Sequence, residues 1–205
     1  MHSAGDDLLS ISVAGVEAAQ RLAADLRESG DWIEAVAGVD SVVVRFDIAS
    51  IRRVDAEKRL IEATAAVSEP TELSQVIVEI PVVYGGESGP DFEFVREKLG
   101  LTSRELIDLH RGEYTVDMLG FTPGFAYIGG LDERLKIDRL PEPRQFVPAG
   151  SLGIAGGRSG LYSLPGPGGW PLIGRTSKKL FDATADEPLT LSAGARVLFR
   201  EVESL

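Results

Sequence analysis

Apolar and polar residues alternate from Leu8 to Val13, which places Leu9, Ile11 and Val13 on one side of a strand. The period then changes. Val16, Ala19, Leu22, Ala23 and Leu26 recur at threes and fours, predicting a helix over Val16–Ser29 that Gly30 stops. Trp32–Ala37 and Ser41–Phe46 read as two strands joined through Gly38-Val39-Asp40. A second helix is predicted over Asp55–Val67, with Asp55 as its cap. Leu73–Val83 is predicted as a fourth strand, with Pro81 at an edge or an exit.

Strand, helix, strand, strand, helix, strand is the order of a ferredoxin-like α+β domain, in which two helices cover one face of a four-stranded antiparallel sheet. The turn-rich stretch Tyr84–Pro90 predicts a boundary, so the domains are expected at 1–83 and 84–205. Asp91–Leu99 reads as a short helix ended by Gly100. Thr102-Ser103-Arg104-Glu105 is a capping box that opens a further helix running to about His110. Tyr114–Leu119 then begins a β region.

Gly120 to Gly174 holds 13 of the 23 Gly and 7 of the 11 Pro, a density that excludes a long helix. Aromatic and aliphatic residues spread through it predict short strands at Ala126–Ile128, Gln145–Val147, Leu152–Ala155, Gly160–Ser163 and Pro171–Ile173, followed by Arg196–Glu201. Many short strands joined by Gly/Pro turns imply a mainly-β closed barrel.

Charge adds a second layer. The chain is at −11, yet Gly120–Leu180 carries eight Lys or Arg against four Asp or Glu. A locally basic, aromatic-bearing segment suits a pocket for a small anion, or a solvated face with scattered ion pairs. The acidic balance argues against nucleic acid. No apolar run reaches the ~20 residues that span a bilayer, and the N-terminal residues do not read as a signal peptide. With no Cys, disulfides and thiol chemistry are excluded, which fits the cytoplasm. With only His2 and His110, a multi-histidine metal centre is excluded and no metal site is expected.

Several residues could carry chemistry, each with a plainer role beside it. His110 suits an acid or base near neutrality, or a favourable charge at a helix C-terminus. Arg139, Arg144, Arg158 and Arg175 suit the grip of carboxylate or phosphate, or a solvated surface. Gly156–Gly160 and Gly166–Trp170 could present backbone N–H groups to an anion or simply turn the chain. Neither ends in Gly-Lys-Ser/Thr, so neither is a P-loop. Tyr127 and Trp170 could stack on a planar ligand or belong to the core. Ala149–Gly153 only loosely matches a nucleophile elbow, lacking its first glycine.

GFTPGFAYIGGLD (Gly120–Asp132), PR–FVPAGS (Pro143–Ser151), PGGWPLIGRT (Pro167–Thr176) and LFD (Leu180–Asp182) resemble the allophanate hydrolase subunit 1 family, which includes the B-type subunits of 5-oxoprolinase and KipI. IPVVYGGESGPD (Ile80–Asp91) resembles the family's domain junction. The resemblance implies a ferredoxin-like domain followed by a cyclophilin-like barrel. It implies a role in ATP-dependent opening of 5-oxoproline to glutamate. The implied partners are a homologous second protein, allophanate hydrolase subunit 2 or the C-type 5-oxoprolinase subunit, and a third, A-type component. ATP would be held unconventionally or by another of these proteins. The alternatives it implies are a KipI-type inhibitor of a sensor histidine kinase and half of a biotin-dependent carboxyltransferase. It implies a cleft with His110 and Tyr127, and with Arg139, Arg144 and the Gly166–Trp170 turn at its rim; on the chemistry above, His110 and Arg144 are expected to be catalytic, with Tyr127, Arg139, Arg158, Gly168, Gly169, Trp170 and Arg175 around the substrate. The chain departs from the family pattern at Gly160–Ser163 and at Arg158, where relatives often carry Gln.

Overall fold

The computed structural model describes residues 2–3, 5–65 and 77–204. The chain divides into two compact units, Met1–Glu72 and Leu73–Leu205. In the first, strands β1 (His2–Ser3), β2 (Leu8–Ser12), β3 (Glu34–Ala37) and β4 (Ser41–Arg45) form one antiparallel sheet ordered β1-β2-β4-β3. Helix α1 (Val16–Ser29) buries Ala19, Leu22, Ala23 and Leu26, the stripe its period predicts. Gly30 ends it at φ 71°, the left-handed conformation that glycine adopts without strain. Helix α2 (Arg53–Ala65) starts ahead of Asp55, which therefore sits in the first turn rather than at the cap. Its carboxylate still lies at the positive end of the helix dipole. The expected end of this helix at Val67 falls outside the described residues.

Two expectations need correction here. Of the predicted strand Leu73–Val83, residues 73–76 lie outside the described residues, and Ile77–Tyr84 (β5) belongs to the second unit. The small sheet takes its fourth strand from β1 instead, and the boundary expected at 83/84 falls inside the second unit. The reason is burial. Ile80 and Val82 of β5 are fully covered by the second unit's core, and β5 runs parallel to β13 (Arg196–Glu201) along its length. Pro81 is tolerated because the ladder on the other flank reaches only Val83 and Tyr84.

The second unit also holds helices α3 (Phe92–Leu99) and α4 (Ser103–His110), then strands β6 (Gly112–Leu119), β7 (Ala126–Gly129), β8 (Arg144–Val147), β9 (Ser151–Ala155), β10 (Arg158–Leu161), β11 (Gly166–Gly168) and β12 (Leu172–Arg175) before β13. Six of these strands close with β5 into a seven-stranded barrel in the order β10-β7-β6-β13-β5-β12-β9, with β9 pairing back to β10. Closure leaves the barrel itself without a free sheet edge. The capping box forms as read: the Thr102 hydroxyl accepts from the Glu105 N–H, and the Glu105 carboxylate accepts from the Thr102 N–H. Strands β8 and β11 stand apart as a two-stranded ribbon. Gly-Pro-Gly carries no apolar alternation, so β11 was invisible to pattern; its strand geometry comes from pairing with β8.

Candidate functional site

The ribbon and the barrel meet around one tryptophan. Gly153 and Gly160 are cross-strand partners on β9 and β10, and both are covered by Trp170. A methyl group on Gly160 would lie 3.0 Å from two ring carbons of Trp170 and 2.9 Å from Cζ of Phe125. One on Gly153 would lie 2.9 Å from the Trp170 Cβ. Only a bare backbone lets these rings settle on the strands. Gly160→Ala should therefore force Phe125 and Trp170 off their seat, costing about 1–3 kcal/mol. Urea unfolding together with a shifted Trp170 emission in the native state checks this; unchanged emission would contradict it.

Phe125 is the hub of the aromatic cluster. Its ring meets Tyr127 at 4.8 Å, Tyr162 at 5.0 Å and Trp170 at 6.2 Å between centroids, all edge-to-face. Beside the cluster lies a cavity of about 250 Å³. Tyr127, Tyr162 and Trp170 form its aromatic wall, and Leu140, Pro143, Pro167, Gly168 and Gly169 form the side contributed by the ribbon and its approaches. Arg139 is the cation in the lining, with its guanidinium carbon 5.9 Å from the Trp170 ring centroid. Phe121 also lines the cavity, is 63% exposed, and is the one non-glycine residue with positive φ (68°) among the described residues. Burial raises the Tyr162 hydroxyl above its ordinary pKa; a hydrogen bond from the Trp170 backbone and the charges of Arg139 and Arg144 oppose that rise.

The structure brings together Tyr127, Arg139, Gly168, Gly169 and Trp170 of the residues picked from sequence. It places the others elsewhere. His110 is fully buried inside the barrel, with Nδ1 2.8 Å from the Tyr84 hydroxyl and Nε2 2.7 Å from the Ser159 hydroxyl. Desolvation pushes its pKa down to about 3, so the ring is neutral at physiological pH. His110 thus lies apart from the cavity lining, with both ring nitrogens engaged by barrel hydroxyls. Arg158 is tied to Asp117, Nε to Oδ2 at 2.8 Å, and Arg175 donates from Nε to the Ala149 carbonyl at 3.2 Å. Neither lines the cavity. Arg144 lies on the ribbon next to Pro143 and donates from Nη2 to Oδ1 of Asp91 at 2.6 Å. Phe121, Phe125 and Tyr162 read in the sequence only as apolar mass for strands; Gly160, which faces Phe125, and Gly168, which faces Tyr162, are the signals that mark two of them.

The lining suits a small planar ligand with one anionic group, held face-on to aromatic rings. Among the described residues, no group of three or more metal-ligating side chains is assembled, and no helix is long and apolar enough to cross a membrane.

A family model described as "Carboxyltransferase domain, subdomain C and D" matches residues 2–191. A protein of Escherichia coli O157:H7, named as the B-type subunit of 5-oxoprolinase, is 42% identical over 190 residues, covering 92% of this chain and 87% of that protein. One of the same name from Bacillus subtilis (strain 168) is 48% identical over 151 residues, 73% of this chain and 61% of its own. Among solved structures, TTHA0988 superposes with a TM-score of 0.83 at 30% identity, over 97% of this chain and 40% of that one, so this chain spans less than half of that protein. Agreement over nearly the whole length, in sequence and in fold, shows that the chain belongs to the family of B-type 5-oxoprolinase subunits, within the carboxyltransferase subdomain C and D group.

Proposed function

We propose that this chain is one component of an ATP-dependent 5-oxoprolinase, and that the cavity beside Trp170 holds the lactam while its C–N bond is opened by water to give glutamate. The observation that carries this reading is the 42% identity across 92% of the chain to a protein named as a 5-oxoprolinase component of the B type. The geometry supports it. 5-Oxoproline is a flat five-membered ring with one carboxylate, and the cavity offers aromatic faces for the ring and Arg139 for the charge.

An amide carbonyl is a poor electrophile, and phosphorylating its oxygen makes it reactive. The triphosphate belongs, in this proposal, to another component of the complex, since the sequence has no P-loop. This chain's own share is to orient the ring, exclude water from its faces and neutralise its carboxylate. A homologous second protein of the C type, with a third of the A type, would supply the remainder.

Co-purifying the chain with the products of its genomic neighbours tests the reading. Glutamate release that needs both 5-oxoproline and ATP is the expected result; an assembled complex without it refutes the assignment. The family description favours a second reading, half of a biotin-dependent carboxyltransferase, for which turnover would be blocked by avidin. Inhibition of a histidine kinase's autophosphorylation by the chain alone would instead favour a regulator.

A further inference from the structure

The sequence GGESGPD ends in Asp91, a residue outside the cavity lining. Asp91 precedes α3 yet makes no capping hydrogen bond from its side chain. It is 8% exposed, and both carboxylate oxygens point to other elements. Oδ2 accepts from the Leu172 backbone N–H of β12 at 2.7 Å, and Oδ1 accepts from Arg144 Nη2 of β8 at 2.6 Å. The carboxylate thus ties the ribbon to the barrel wall.

This division has a consequence for Arg144. A free carboxylate would take a guanidinium through two parallel bonds. Here one oxygen is committed to the backbone, so Arg144 is held end-on. Its Nη1 is buried and has no hydrogen-bond partner. A buried charged donor left unpaired is costly, and such groups in native proteins call for a reason. The location suggests one. Arg144 is the Cα partner of Gly168 and the chain neighbour of Pro143, both in the cavity lining, and its charge is felt at the Tyr162 hydroxyl together with that of Arg139. The side chain as a whole keeps 31% exposure, although Nη1 itself is covered, so a ligand reaches that donor only by displacing what covers it.

We propose that Asp91 is a positioning residue: it holds Arg144 end-on so that Nη1 is left to donate to an anionic oxygen of the ligand, making Arg144 the second cation of the site after Arg139. For the identity of that oxygen, the 5-oxoproline carboxylate, the inference rests on the function proposed above. A positioning role makes a demand that a purely structural ion pair does not. Weakening it should erase the site's preference for a charged ligand while leaving the fit of the ring intact.

The test compares 5-oxoproline with 2-pyrrolidinone, the same lactam without its carboxylate. Binding to the full chain is read by Trp170 fluorescence in a Trp32→Phe background, which leaves one tryptophan. The wild-type chain should bind 5-oxoproline roughly ten- to a hundred-fold more tightly, as a hydrogen bond to a charged group allows. Asp91→Asn keeps an acceptor for Leu172 but removes the charge that anchors Arg144. It should lose most of that preference with 2-pyrrolidinone affinity unchanged, and Arg144→Gln should do the same. An Asp91→Asn chain that keeps the wild-type preference overturns the proposal, as does a wild-type chain that shows none. Turnover by the assembled complex is judged separately: a complex that releases glutamate while Asp91→Asn retains its preference leaves the function standing and removes only the role of Asp91.

Discussion

Gly150→Ala should unfold the barrel unit or leave it barely stable. Gly150 has φ 79°, and a methyl group there would sit 2.2 Å from the Thr176 carbonyl oxygen. That oxygen is backbone and cannot swing aside as a side chain would. The turn that leads into β9 is tied on both sides: the Gly150 N–H donates to the Tyr162 carbonyl, just past β10, at 2.7 Å, and the Thr176 N–H, just past β12, donates to the Gly150 carbonyl at 2.9 Å. Two costs therefore add. Placing alanine in the left-handed region costs about 1–2 kcal/mol, and relieving the collision costs a further ~1–3 kcal/mol. Their sum is a large part of the roughly 5–15 kcal/mol by which domains are stable. Urea unfolding followed by Trp170 emission, in the Trp32→Phe background, should show the midpoint lowered by more than ~1 M. Gly156→Ala separates the terms. Gly156 has φ 56° but nothing within 4 Å of the added carbon, so it should carry the conformational cost alone. If the two variants lose equal stability, close approach is not what Gly150 supplies.

Which parts of this molecule were legible in the sequence follows from how far each signal has to travel along the chain. The stripe on α1 and the capping box before α4 involve residues three or four apart, and both formed as read. Strand β5 is legible as a strand but not in its sheet, because an apolar run does not say which partner it will find; β13, its parallel neighbour, lies at the far end of the chain. The arginines show the same limit. Arg144 and Arg158 look alike as isolated cations, and their fates depend on Asp91, 53 residues away, and Asp117, 41 residues away. Tyr127 and Trp170 were readable as candidate stacking rings, since two aromatics in a Gly-rich segment are conspicuous. That Gly153 and Gly160 seat Trp170 needed the register of β9 against β10. The burial of His110 had a local signal that its place at a helix end obscured. It lies four residues after Leu106, so the two share the buried face of α4.

That burial makes His110 the origin of a pH dependence in stability. Around its ring stand Tyr84 from β5, Ser159 from β10, Tyr114 from β6 and Phe199 from β13, the last at 4.8 Å between centroids. Desolvation favours the neutral ring and lowers the folded-state pKa from 6.5 to about 3. A lowered histidine pKa means that the unfolded chain binds the proton first. Stability is then complete above the unfolded value of about 6.5 and falls as pH drops from there to about 3, by roughly 1.4 kcal/mol per unit. Between pH 7.5 and 5.0 the loss from this one group is about 2 kcal/mol. His110→Gln preserves polar atoms for Tyr84 and Ser159 but cannot titrate. Its stability at pH 7.5 should be lower than wild type, because the replacement packs less well against Phe199, yet its decline towards pH 5.0 should be shallower by about 2 kcal/mol. Carboxylates titrate in both proteins and cancel in the comparison. Equal slopes for the two chains in urea titrations would show that the imidazole is already charged in the barrel, and would return His110 to consideration as a proton carrier.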